Sequence, residues 1–191
     1  MNALDKLRPV NSRSFTVQEA EDLGVSKYSL VYLAREGELQ RLTSGLYAFP
    51  DYQPTGLDEV LADYLKVVPQ AVVGLDSALE LHGIGETMPD EITLLVPITN
   101  VTKRKIEGLR FYQVRNFASL DVQKIKGLPI TSINQTLVDL LRVKRPMSQV
   151  LEVFYEARNQ KDLNVSISKI KKLSKDFRIK RRLEQFLEAV S

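Results

Sequence analysis

Residues 14–49 carry the pattern that most restricts how this chain can fold. Thr16-Val17-Gln18-Glu19 is a capping box, in which the threonine hydroxyl accepts from the Glu19 amide and the glutamate reaches back to the amide of Thr16. Val17, Ala20 and Leu23 follow on one helical stripe, and Gly24 suits the left-handed residue that ends a helix. Ser26 can cap the next helix. Gly37 closes that second helix. Leu39–Leu42 and Leu46–Phe49 then read as paired strands around a three-residue turn, Thr43-Ser44-Gly45. Helix, tight turn, helix and hairpin in this order predict a winged helix-turn-helix over residues 1–50. Pro50 and Pro54 interrupt regular structure and place a domain joint at 50–56, with a second domain over 54–191.

The helix after Ser26 carries two stripes. Leu30, Leu33 and Ala34 have the spacing of a buried face. Tyr28, Val31, Tyr32 and Arg35 share nearly the opposite side, with Lys27 and Ser29 at the helix start. Such a side can enter the major groove of duplex DNA. The candidate DNA-contacting residues are Ser26, Lys27, Tyr28, Ser29, Tyr32 and Arg35 on the helix, with Arg41, Thr43 and Ser44 on the wing. The Ser26 and Ser29 hydroxyls can donate to phosphate or base edges, and the helix dipole favours a phosphate nearby. The alternative is that Val31 and a tyrosine pack on the preceding helix or on a second subunit.

Beyond residue 56 the pattern mixes elements. Helices are expected at 57–67, up to His82-Gly83 with Asp76 or Ser77 as cap, from Ser132 or Asn134 through Arg142, at 147–158, at 166–173 and at 177–190. Strands are expected at 71–73, 91–96, 109–114, 122–125 and 128–130, the last two as a hairpin around Lys126-Gly127. This segregated order predicts an α+β chain: a winged helix-turn-helix followed by a mixed α/β C-terminal domain with a small sheet and C-terminal helices.

The absence of cysteine excludes disulfides, thiolate nucleophiles and cysteine-based zinc sites, and suits a reducing, cytoplasmic location. A single histidine, His82, excludes a multi-histidine metal site. No apolar run approaches the roughly 18 residues of a membrane span, and the N-terminus lacks a signal-peptide core. The net charge of +3 is unevenly spread. Residues 1–50 hold six basic and six acidic side chains, whereas residues 51–99 hold one basic and nine acidic. A neutral reading head needs help to bind DNA firmly, from a homodimer or from a basic tail. Lys169, Lys171, Lys172, Lys175, Arg178, Lys180, Arg181 and Arg182 form that tail, and Lys103-Arg104-Lys105 forms a smaller triplet. Such cations can hold a phosphate backbone without reading sequence, can be a solubilising surface, or can meet the acidic residues of 51–99.

Catalytic readings are weaker. His82, near Glu80, Glu86 and Asp90, has no visible positioned partner and reads as a packed or helix-terminal histidine. Asp139 reads as a structural ion pair with Arg142 or a solvated residue. Asp58, Glu59 and Asp63 read as a solvated acidic face rather than a metal site. No catalytic residue, cofactor or metal is expected, and Gly83-Ile84-Gly85 carries no weight as a phosphate loop.

Several stretches together resemble the AbiEi family of antitoxins from bacterial abortive-infection operons. They are Phe15-Thr16, Gly37–Leu42 leading to Gly45-Leu46-Tyr47, Ser77–Gly83, Ile92–Pro97, and Ile130-Thr131-Ser132 before Thr136–Leu141. The resemblance implies a winged head that represses its own operon by binding promoter repeats. It also implies a C-terminal domain that counteracts a nucleotidyltransferase-type toxin, with or without a direct complex. The family commonly has an arginine where this chain has Gln135, so no role of that arginine transfers. A competing function is a protein-interaction module that neutralises its partner by direct binding, without sequence-specific DNA recognition.

Overall fold

Local caps set the helices of the N-terminal region. The computed structural model describes residues 2–85, 91–99, 108–175 and 178–191. The chain divides into two units, Met1–Gln70 and Ala71–Ser191. The joint read at residues 50–56 lies inside the first of them.

The first unit opens with α1 (Ala3–Leu7), capped by Asn2, and a 3₁₀ turn that takes up Pro9. A two-residue strand β1 (Phe15–Thr16) leads into α2 (Val17–Asp22), where Thr16 and Glu19 form the capping box in both directions. Gly24 at φ +77° reverses the chain, and Ser26 caps α3 (Lys27–Arg35). The wing is β2 (Gln40–Thr43) and β3 (Leu46–Ala48), and α4 (Leu57–Val67) follows.

The turn of the wing is tighter than expected. Thr43 pairs with Leu46 in the ladder, with a bulge between Arg41 and Thr43, so only Ser44 and Gly45 turn the chain. Gly45 at φ +90° provides the backbone that this two-residue turn needs. β1, too short to read in sequence, pairs Phe15 with Tyr47 and Thr16 with Leu46. The sheet order is therefore β1-β3-β2, with β3 central. That position explains why Leu46, Tyr47 and Ala48 are all buried where an edge strand would alternate. Tyr47 joins Leu7, Val10, Phe15, Ala20, Val25, Leu30 and Leu39 in the core of the head, while α4 packs on β1 and β3.

The second unit contains β4 (Val72–Val73), α5 (Leu75–Leu81), β5 (Ile92–Pro97), β6 (Leu109–Val114), β7 (Val122–Ile125), β8 (Leu128–Thr131), α6 (Ile133–Arg142), α7 (Met147–Asn159), α8 (Ile167–Ser174) and α9 (Lys180–Val190). Its mixed sheet runs β6-β5-β4-β8-β7, with β4/β8 and β5/β6 parallel and the remaining pairs antiparallel. The chain is thus α+β, as its segregated pattern predicts.

α6 is the axis of this unit. Every residue from Ile133 to Leu141 is buried, because α5, β8, α7 and α8 all pack on it. Leu75, Leu79, Leu137, Val138, Leu141, Val150, Phe154 and Phe186 form the apolar centre. Asn134 and Thr136 on it find the partners that burial requires. Asn134 donates to the Asn164 carbonyl and accepts from the Ser166 amide, both at 2.8 Å. The Thr136 hydroxyl donates to the Ser132 carbonyl at 2.9 Å.

The expected cap of α5, Asp76 or Ser77, is not used. α5 begins after Gly74 with no side-chain cap. Ser77 instead accepts from the Thr93 amide at 2.9 Å, and Asp76 pairs with Arg145. α9 starts at Lys180, and Phe177, read as its first residue, lies outside the described residues.

Candidate nucleic-acid interface

α3 is held by the face that carries Leu30, which is fully buried in the head. Leu33 and Ala34 pack beside it. The opposite side is open: Tyr28 is 87%, Tyr32 62% and Val31 48% exposed. Lys27 and Arg35 are exposed at the two ends of the same helix. Positions 28, 31, 32 and 35 follow the spacing of a single helical face, so the structure brings the anticipated groove-facing residues together.

The two serines do different work from the rest. Ser26 accepts from the Ser29 amide at 3.2 Å, and the two hydroxyls lie 3.0 Å apart. Ser26 is therefore the helix cap, with Ser29 half-buried against it. On the wing, Arg41 is exposed and its Nε donates to the Thr43 carbonyl at 3.4 Å. Thr43 and Ser44 are half-buried. Tyr28, Tyr32, the helix cations and Arg41 are thus more available than Ser29, Thr43 and Ser44.

The basic tail is only in part an open surface. Lys169 is bound to Asp121 at 2.7 Å, and Arg182 donates to the Arg145 carbonyl. Lys180 lies 3.9 Å from Glu184 in an exposed pair of little consequence. Lys171, Lys172, Lys175, Arg178 and Arg181 are exposed. Lys103, Arg104 and Lys105 lie outside the described residues, as do Glu86 and Asp90.

The remaining ionisable candidates are built into the fold. His82 is buried at the end of α5, where its Nε2 donates to the Thr131 carbonyl at 2.8 Å. Burial lowers its pKa, opposed by that bond, and the ring is packed into the fold. Asp139 is fully buried, which corrects the solvated alternative; it lies 3.5 Å from Arg142 and accepts from Gln135 at 3.1 Å. Burial pushes its carboxyl up to about 6, against the pull of Arg142 and Gln135.

The solvated acidic face read for Asp58, Glu59 and Asp63 is corrected at Asp63, while Glu59 is exposed. Asp63 is buried, and its carboxylate accepts from Ser14, from Tyr52 at 2.8 Å and from Lys66 at 3.2 Å. The Tyr52 phenol is pushed well above its ordinary range, first by burial and then by the Asp63 carboxylate. Glu59 caps the chain by accepting from the Thr55 amide at 2.8 Å. Among the described residues no group of three or more His, Cys, Asp or Glu side chains can hold a metal ion. No helix there is long and apolar enough to cross a membrane.

Sequence reasoning missed the Asp63 cluster because Ser14 lies 49 positions from Asp63. Val31, which sequence reasoning placed on the same stripe but not among the candidate contacts, is exposed beside Tyr28 and Tyr32.

Residues 4–50 match the model of the family described as "Transcriptional regulator, AbiEi antitoxin". The likeness read from motifs is therefore matched in the N-terminal region. No curated protein matches the chain. Among solved structures it is similar to the RV2827C protein from Mycobacterium tuberculosis, with a TM-score of 0.62 and 15% identity, over 97% of this chain and 75% of that one. At that identity the similarity is one of fold.

Proposed function

We propose, from a head whose residues 4–50 match a family of transcriptional regulators and antitoxins, that this chain binds duplex DNA and represses its own operon. In the same reading it counteracts a nucleotidyltransferase-type toxin. The observation that carries the DNA reading is the open side of α3, where Tyr28, Tyr32 and Arg35 stand clear of the core that Leu30 anchors. Lys27, Tyr28, Ser29, Tyr32 and Arg35 supply groove contacts. Arg41, Thr43 and Ser44 supply wing contacts to the backbone, and Ser26 acts by holding the helix end that faces a phosphate. Two heads on a repeat would compensate for the neutral charge of each, and the exposed cations near the C-terminus add sequence-independent attraction. Residues 1–50 serve as the reader within the first unit, and the antitoxin role expected of residues 54–191 falls to the second unit, Ala71–Ser191.

The test is a fluorescence titration of the full chain with duplex DNA from upstream of its own gene. Salt-dependent, sequence-preferring binding is expected. Arg35→Ala and Lys27→Ala should each weaken it about tenfold, in line with the 1–3 kcal/mol of a good groove contact. Unchanged binding in both variants removes this face from the reading. Co-expression with the neighbouring reading frame tests the second role, which requires relief of toxicity. A salt-resistant protein complex without promoter binding would favour direct neutralisation instead.

A further inference from the structure

We propose that Val31 reads the C5-methyl group of thymine, so that the preferred duplex carries a thymine beneath the centre of α3. This inference rests on the DNA reading above and specifies its chemistry.

Six large hydrophobic side chains are exposed among the described residues, and three of them, Tyr28, Val31 and Tyr32, lie on one face of α3. Single exposed apolar residues are ordinary, but three clustered on one helical face mark a contact surface. Val31 is the middle of the three and the only one with no polar atom on its side chain. It has two branched methyl groups on a stiff, short stem, so it cannot swing away from whatever the helix meets. Tyr28 and Tyr32 flank it and can hold water away from it while their hydroxyls stay wet. Lys27 and Arg35 sit beyond them at the two ends of the helix. A purely apolar partner would leave these two cations without counter-charge. A surface with anions at its rims and an apolar group at its floor satisfies the whole face.

The major groove is such a surface. Phosphates line its edges, and the thymine methyl is the apolar group that base pairs present at its floor. The polar side chains of this face also narrow the choice. It carries no Asn, Gln, Asp or Glu from residue 27 to residue 35, and those are the side chains that read adenine or cytosine edges. Ser29 is bound to Ser26 at the helix start and is half-buried. Discrimination at the centre of α3 is therefore left to shape and methyl contact, with Arg35 free to address a guanine or a phosphate at the far end.

The experiment begins with selection of the best duplex from a random library by the full chain. Each thymine of the selected site is then replaced singly by uracil, which deletes one methyl and leaves the hydrogen-bonding edge intact. For wild type, uracil at one position per half-site is expected to weaken binding about fourfold, the value of one buried methyl. Val31→Ala should bind the thymine and uracil duplexes equally. Arg35→Ala should bind both less tightly and keep the ratio. Because Val31 is half-exposed, its truncation leaves the core of the head untouched. Uracil tolerated at every position by a wild type that binds its site overturns the proposal and leaves the DNA reading standing. So does a thymine preference that survives in Val31→Ala. Failure to select any sequence overturns both readings.

Discussion

Asp63→Ala should cost the first unit far more than a surface acid would. The carboxylate is 6% exposed and joins three elements. It takes the hydroxyl of Ser14 from the approach to β1, the phenol of Tyr52 at 2.8 Å, and the ammonium of Lys66 on its own helix at 3.2 Å. Removing it deprives two hydroxyls of their acceptor and leaves a part-buried cation. Breaking one side of a buried pair costs about 3–5 kcal/mol. Lys66 keeps the Ser14 carbonyl at 3.0 Å and its hydroxyl at 2.6 Å, so the lower end, about 3 kcal/mol, is expected. Lys66→Met should cost about 2 kcal/mol, since the carboxylate keeps two hydroxyl donors. In the double variant neither charge remains, and the loss should fall short of the sum by about 2 kcal/mol. The chain has no tryptophan, so urea unfolding is best followed by circular dichroism, with amide exchange near β1 assigning the loss to the first unit. A cost below about 1 kcal/mol for Asp63→Ala, or strict additivity, would refute the view that this cluster pins α4 to the head.

The Asp139 carboxyl stands at about 6 in the fold against an ordinary 3.8, so between those values the folded state holds a proton that the unfolded state has released. Stability should therefore fall as pH rises through this window, by on the order of 3 kcal/mol, and then level off. Unfolding titrations at successive pH values should show that slope in wild type and not in Asp139→Asn; equal slopes would discard the assignment. At Gly74, an added methyl would lie 2.6 Å from Leu95 Cγ and within 3.0 Å of both its methyls. Gly74→Ala should lower stability by about 1–3 kcal/mol through overpacking, measured as a fall in Tm, and Leu95→Ala should recover part of it. Full additivity of those two changes would show that the clash is relieved elsewhere.

The helix-turn-helix was legible because its signals are local. The Thr16–Glu19 box, Gly24 and Ser26 each act within four residues of the structure they set. The same holds for the two stripes of α3. What depends on distant pairing was not legible. β1 exists only because Phe15 and Thr16 find β3 some thirty positions later, and that pairing turns an apparent edge strand into a buried one. Asp63 reads as a surface acid until Ser14 and Tyr52 are placed beside it. Asn134, Gln135, Thr136 and Asp139 likewise suggest a wet face on α6, and only the packing of four neighbouring elements shows the helix enclosed. Lys169 and Arg182 look identical to the other cations of the basic tail, yet both are engaged by residues from other elements.

Asp121 fastens the start of α6 to α8. Its carboxylate takes the Ser132 hydroxyl and, at 2.7 Å, the Lys169 ammonium, while its amide donates to Gln135 at 3.3 Å. Lys169 and Ser132 together outweigh the effect of burial and hold the Asp121 carboxyl below its ordinary range. Positions before β7, at the start of α6 and on α8 are thereby yoked for inheritance. Replacing Asp121 removes the acceptor that Ser132 and Lys169 share, so lineages that drift at 121 should carry matched replacements at 132 and 169. A chimera that imports α8 alone from a distant relative would inherit half of a lock.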